Sequence, residues 1–339
     1  METICILPRK LGLGGPASFQ ARLAAALREQ NVRVTFDPAE LGIAAILVVG
    51  GTRHFEELRR AKRHGVRIAQ RLNGMNWVHK VTHTGLPHYF RAEINNRILE
   101  TIRSHYADAI IYQSEFSYHW WERIYGAARV PESVIYNGVD LREFSPAQAP
   151  EFPADFYRLL LVEGHFGSGY EGGLFTAVKA ASLLSQRLAK PLQLTVVGDA
   201  PQELREAASR QFASIDWRGV VKREDIPAID RSAHLMFSSD VNAACPNSVI
   251  EAMACGLPVV GYDTGSLREL AANGAGEVAA YGSDVWKLQP PDLYGLVDAA
   301  QKVLDAQPEY SRRAREQAIG HFDIQKIAAQ YRQVLLEEE

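Results

Sequence analysis

The feature that most constrains this chain is an alternation, kept from one end to the other, of short apolar runs with segments of helical periodicity. Runs of this length between helical stretches are the pattern of βα units, whose strands pair in parallel and are covered by helices on both faces. In the first half the strands are expected near Ile4–Leu7, Val32–Phe36, Ala45–Val49, Val66–Leu72, Ala109–Tyr112 and Val134–Tyr136. In the second half they are expected near Leu159–Val162, Leu192–Val197, Ile215–Trp217, Leu235–Ser238, Pro258–Tyr262 and Glu277–Ala280. Between the first two runs, residues 17–30 place Phe19, Leu23, Ala26 and Leu27 on one helical stripe. Residues 137–153 have linker composition, with Asn137, Gly138 and Asp140 followed by a Pro/Ala stretch, and the alternation then restarts. The expectation is an α/β chain of two doubly wound parallel-sheet, Rossmann-like domains, divided as 1–146 and 147–321.

Composition agrees and excludes some functions. A chain of 339 residues is long for one core and suits two domains. A net charge of −3 argues against bulk nucleic-acid binding. Met1 leads into Ile4–Leu7 without a basic and apolar leader, and no apolar run approaches membrane-spanning length, so a cytoplasmic protein is expected. Three cysteines, Cys5, Cys245 and Cys255, make neither a disulfide framework nor a zinc spacing, and read as thiols.

The segment from Ala244 to Leu270 reads as loop, short helix, Gly256–Pro258 stop, buried strand and second loop. A helix that opens directly after a parallel strand points backbone N–H groups and its positive dipole end into the crevice above the sheet, where phosphate binds well. This segment resembles the signature of family 4 glycosyltransferases of the GT-B fold. In that signature a carboxylate, seven residues and a Glu precede a small-residue helix and a Gly-x-Pro-Val turn. Glu251 matches the second carboxylate, while the first falls on Ala243. Gly14–Leu27, Gln113–Phe116, Val134–Asp140 and Val196–Pro201 match further family segments in order, so the likeness covers nearly the whole chain.

The resemblance implies two domains facing across a cleft, a nucleotide-sugar-binding second domain, and a first, acceptor-side domain completed by the final helix, residues 322–339. It implies a retaining transfer from a UDP- or GDP-sugar to a hydroxyl acceptor, with no further cofactor. The family's Glu binds the donor ribose, and the helix start at Asn247, Ser248 and Val249 would give amides to the diphosphate. A second reading of Glu251 stays open, because Ser248 and Glu251 also have the S-x-x-E spacing of a capping box, worth only ~1 kcal/mol.

The loop after the seventh strand, residues 163–173, holds five glycines, which let a backbone nest approach an anion. Gly164, His165, Gly167 and Gly169 are donor-binding candidates there, with Asp199 and Val220 after the next two strands. The family carries an Arg and a Lys in this loop; here His165 and then Tyr170 and Glu171 stand at those places. Four basic residues of the first domain, Arg9, Lys10, Arg71 and Lys80, are candidates to replace that charge.

Gly14 and Gly15, between the first strand and helix, are placed to admit a donor. The G-x-G-x-x-G dinucleotide fingerprint is absent there, which disfavours a dehydrogenase. Residues 71–88 offer amides, imidazoles and Trp77, the set that sugar recognition uses. Asn73, His79 and His83 are catalytic candidates from this segment, and Asp240 is a fourth, as a stand-in for the carboxylate absent at Ala243. His79 and His83 are four apart, a spacing that also suits a metal, but no metal site is expected, and no Asp-x-Asp supports a metal-dependent GT-A centre. The basic run Arg53–Arg67 is a candidate for peripheral contact with an anionic membrane, with Phe55 and Leu58 turned to the core. The alternative function is a GT-B protein that binds nucleotide or sugar as an accessory and has lost transfer; an epimerase is a more distant one.

Overall fold

The computed structural model describes residues 2–9, 14–82, 84–149, 151–167 and 171–336. The chain divides into two compact units, Met1–Asp140 with Phe322–Glu339, and Leu141–His321. The boundary lies six residues before the expected 146, because Arg315 of the second unit donates hydrogen bonds to the carbonyls of Leu141 and Phe144 and so ties this stretch to it.

Unit one carries β1 (Thr3–Leu7), α1 (Gly15–Glu29), β2 (Arg33–Thr35), β3 (Ile43–Val49), α2 (Phe55–Arg63), β4 (Arg67–Leu72), α3 (Leu86–His105), β5 (Ala109–Tyr112), α4 (Glu115–Tyr125) and β6 (Glu132–Val134). The sheet is parallel in the order β2-β1-β3-β4-β5-β6. Every residue of β1 and β5 is buried, which is why these strands read as unbroken apolar runs. The stripe of α1, Phe19, Leu23, Ala26 and Leu27, packs on one face of the sheet. On the other face Leu58 of α2 and Ile102 of α3 meet Ile46, Val48 and Ile68. The basic side chains of α2 are partly paired, Arg59 with Glu56 at 2.5 Å and Lys62 with Asp108 at 2.6 Å. The sixth strand lies two residues earlier than expected. Its edge position tolerates polar residues, and Glu132 accepts a 2.5 Å hydrogen bond from the Tyr112 hydroxyl.

Unit two carries β7 (Tyr157–His165), α5 (Glu171–Ser185), β8 (Leu192–Asp199), α6 (Gln202–Gln211), β9 (Ile215–Gly219), α7 (Ile226–Arg231), β10 (Leu235–Ser238), α8 (Asn247–Ala254), β11 (Val259–Tyr262), α9 (Leu267–Leu270), β12 (Gly276–Ala279), α10 (Leu293–Asp305) and α11 (Gln307–His321). The strands are again parallel, in the order β12-β11-β10-β7-β8-β9. Leu174 and Val178 of α5 with Val297 and Val303 of α10 cover one face. The last helix, α12 (Ile324–Leu336), belongs to unit one, where Tyr331 meets Phe19 with ring centroids 5.4 Å apart. The three cysteines are buried and none is in a disulfide. Among the described residues no helix is long and apolar enough to cross a membrane.

Candidate functional site

In an open parallel sheet ligands collect beyond the carboxyl ends of the strands where the strand order reverses, because the connections leave that point on opposite faces and open a crevice. In unit one the reversal lies between β1 and β3. A cavity of 440 Å³ occurs there, lined among others by Pro8, Thr52, His54, Asn73, Asn76 and Asn95. Gly14 caps α1 beside it with φ 116°, a conformation that requires glycine, and no side chain caps the helix that Gly15 begins.

The loop after β4 is held stiffly. Asn73 Oδ1 accepts from Arg71 at 2.6 Å and from Gln113 at 3.0 Å, and its carbonyl accepts from the Trp121 indole at 2.9 Å. Asn76 and Asn96 exchange hydrogen bonds through side chain and backbone. Asn73 therefore lines the cavity as a fixed polar group.

Two other expectations in this segment change. His79 is turned into the unit with its side chain 1% exposed, and its Nε2 meets Glu93 at 2.7 Å, so the imidazole is a strut and is not open to a substrate. That hydrogen bond, with a further one from Lys80, holds the Glu93 carboxyl below its usual range. Arg71 is 1% exposed: its guanidinium bonds Asn73 and, at 2.5 Å, Asn137, and lies 3.8 Å from the centre of the Phe19 ring. It is a core cation and not a mobile charge. Lys80 pairs with Glu93 at 3.1 Å, and Arg9 is exposed. His83, Lys10 and Gly169 lie outside the described residues. Among the described residues no group of three or more His, Cys, Asp or Glu is placed to hold a metal.

In unit two the order reverses between β7 and β10. β7 ends in Glu163, Gly164 and His165, and Ser239 and Asp240 directly follow β10. The strands pair at Leu160 and Met236, so three residues on, Glu163 arrives opposite Ser239, whose hydroxyl donates to Glu163 Oε1 at 2.6 Å. Burial, and then the charge of Asp240, push the Glu163 carboxyl well above the usual range, against the hydrogen bond from Ser239. Nothing in the local sequence marks Glu163, because its partner lies 76 residues away. The helix α5 comes close enough here that a Cβ on Gly173 would stand 2.7 Å from Ser239 Cβ.

His165 Nδ1 lies 3.0 Å from Asp199 Oδ2, so these two candidates meet at the ends of neighbouring strands. Gly164 is exposed and Gly167 buried. Val220 follows the edge strand β9 and is 75% exposed, two strands away from the reversal point.

Helix α8 opens after β10 with Pro246 at the cap position, and no side-chain hydrogen bond caps it. Ser248 thus lies in the first turn rather than at the cap, and the capping-box reading of Ser248 and Glu251 is removed. Val249, Ile250, Ala252, Met253 and Ala254 are buried, while Asn247, Ser248 and Glu251 keep one face open. Helix amides and an acceptor carboxylate on one face suit a phosphorylated diol.

Residues 158–305, all within this unit, match the family model described as glycosyl transferases group 1. Over 100% of both chains the protein superposes on sucrose-phosphate synthase from Thermosynechococcus elongatus with a TM-score of 0.75 and 18% identity. It superposes likewise, over 100% of both chains, on Anabaena HepE in complex with UDP-glucose, with a TM-score of 0.70 and 17% identity. The chain has the GT-B fold. A curated relative, the 2-deoxystreptamine N-acetyl-D-glucosaminyltransferase of Streptomyces fradiae, is 26% identical over 140 residues, 38% of this chain. That stretch spans about a third, 33%, of the relative's own length.

Proposed function

We propose that this GT-B chain is a retaining glycosyltransferase of the family 4 kind, which moves a sugar from a UDP- or GDP-linked donor to a hydroxyl acceptor. The observation that carries the reading is the coincidence of the group 1 match over residues 158–305 with the reversal-point site of unit two. The amides of Asn247, Ser248 and Val249, backed by the dipole of α8, would receive the diphosphate, and Glu251 the two ribose hydroxyls. A leaving diphosphate gains charge as the glycosidic bond breaks, so preorganised helix amides stabilise the transition state more than the ground state. The Asn73 cavity of unit one offers the amides and hydroxyls that bind an acceptor.

One observation favours the accessory reading, namely that Ala243 stands where the resemblance places a carboxylate. Titration calorimetry with UDP, GDP and ADP, followed by a donor panel assayed for nucleoside diphosphate release, tests both. Binding with release supports the transferase, and binding without release supports the accessory protein. Silence from all three nucleotides at about millimolar concentration, where even weak complexes register, refutes both.

A further inference from the structure

The proposed donor site of unit two is rich in carboxylates. In the sequence, the stretches 163–173 and 239–251 contain four carboxylates, Glu163, Glu171, Asp240 and Glu251, and no Lys or Arg. The imidazole of His165 is engaged with Asp199. Glu163 and Ser239 are joined by their 2.6 Å hydrogen bond, and Asp240 is the next residue, exposed at the carboxyl edge of the sheet. Asn242 lies two residues further on the same loop. It is 5% exposed, holds φ at 55°, and its side-chain Nδ2 has no hydrogen-bond partner among the described residues. The loop therefore carries polar capacity beyond what the unit itself satisfies, since a buried amide donor normally finds a partner.

We propose that Glu163, Ser239 and Asp240 contact the transferred sugar, take over the hydroxyl contacts that Ala243 does not provide, and select neutral or amino sugars against uronic acids. This rests on the donor-site reading above and deepens it. A carboxylate accepts hydrogen bonds from vicinal hydroxyls or from an ammonium, whereas a sugar carboxylate placed here meets the like charge of Asp240 with no Lys or Arg in either segment. Because Glu163 keeps its proton more readily than an ordinary carboxyl, it has both a donor and an acceptor to offer one sugar hydroxyl. Ser239 fixes the Glu163 side chain and so acts as the positioning residue of the three.

The experiment compares the full chain with Glu163→Gln and Asp240→Asn. Affinity is measured first for UDP, GDP and ADP, then for the glucose and glucuronate conjugates of the nucleotide that binds. The expected result is wild-type preference for the glucose conjugate by about ten-fold or more, the order of one or two charge-assisted contacts. Both variants keep nucleotide affinity and weaken the glucose conjugate, and Asp240→Asn narrows the gap to glucuronate. Equal wild-type affinity for the two conjugates overturns the inference alone. So does a parallel loss for nucleotide and conjugate in the variants, which marks a structural role. A chain that binds none of the three nucleotides overturns the donor-site reading and this inference together.

Discussion

Acidification destabilises unit two through His234. The residue immediately precedes β10 and is 7% exposed, with the Phe152 ring 4.4 Å and the Tyr157 ring 5.2 Å away. The backbone N–H of Arg158 donates to its Nδ1 at 3.0 Å, so Nδ1 serves as an acceptor and the folded ring is neutral. Burial, and then the charges of Lys190 and Arg158, lower its pKa from 6.5 to about 4. The unfolded chain binds this proton more readily than the folded one, so the contribution is complete above the unfolded value and is lost as pH falls from 6.5 toward 4. At about 1.36 kcal/mol per unit, the loss on going from about pH 7.5 to about pH 4.5 is roughly 2.5 kcal/mol. The carboxyls of Glu163 and Asp230, both raised chiefly by burial, act with the opposite sign. The comparison with His234→Asn, which keeps an acceptor without the titration, isolates the histidine. Urea unfolding followed by far-UV circular dichroism at the two pH values should show the difference between wild type and variant shifting by that amount. Parallel pH profiles would refute the reasoning.

The other consequences concern packing around the two sites. Gly173→Ala puts a methyl 2.7 Å from Ser239 Cβ and 2.9 Å from its carbonyl, and should cost about 1–3 kcal/mol and weaken donor binding. Gly172→Ala, which meets nothing within 4 Å, should leave urea stability nearly unchanged, and equal effects from the two would contradict the contact. Arg71→Met strips buried hydrogen bonds from Asn73 and Asn137 and should cost about 2–4 kcal/mol by urea unfolding, against under about 1 kcal/mol for the surface change Lys80→Gln. A change in turnover for Arg71→Met with unaltered stability would contradict its place in the core.

The strand inventory was legible because a parallel strand covered on both faces must be apolar along its whole length, and β1, β5, β10 and β11 are buried at every position. The edge strand β6 escapes that rule, its three residues being only half-buried, and it lies two residues before the apolar run that the sequence offers. The start of α8 and the open face of Asn247, Ser248 and Glu251 could also be read from local pattern, since helix boundaries answer to neighbouring residues. Side-chain direction could not. His79 and Arg71 carry the chemistry of exposed catalysts, yet Glu93, Asn137 and Phe19, distant in sequence, draw both inward. Glu163 and Ser239 meet only because β10 crosses back to lie beside β7, outside the run of β7, β8 and β9. Periodicity and composition report what each segment must bury; which charges end up facing one another depends on strand order, a property of the sheet as a whole and of no single segment.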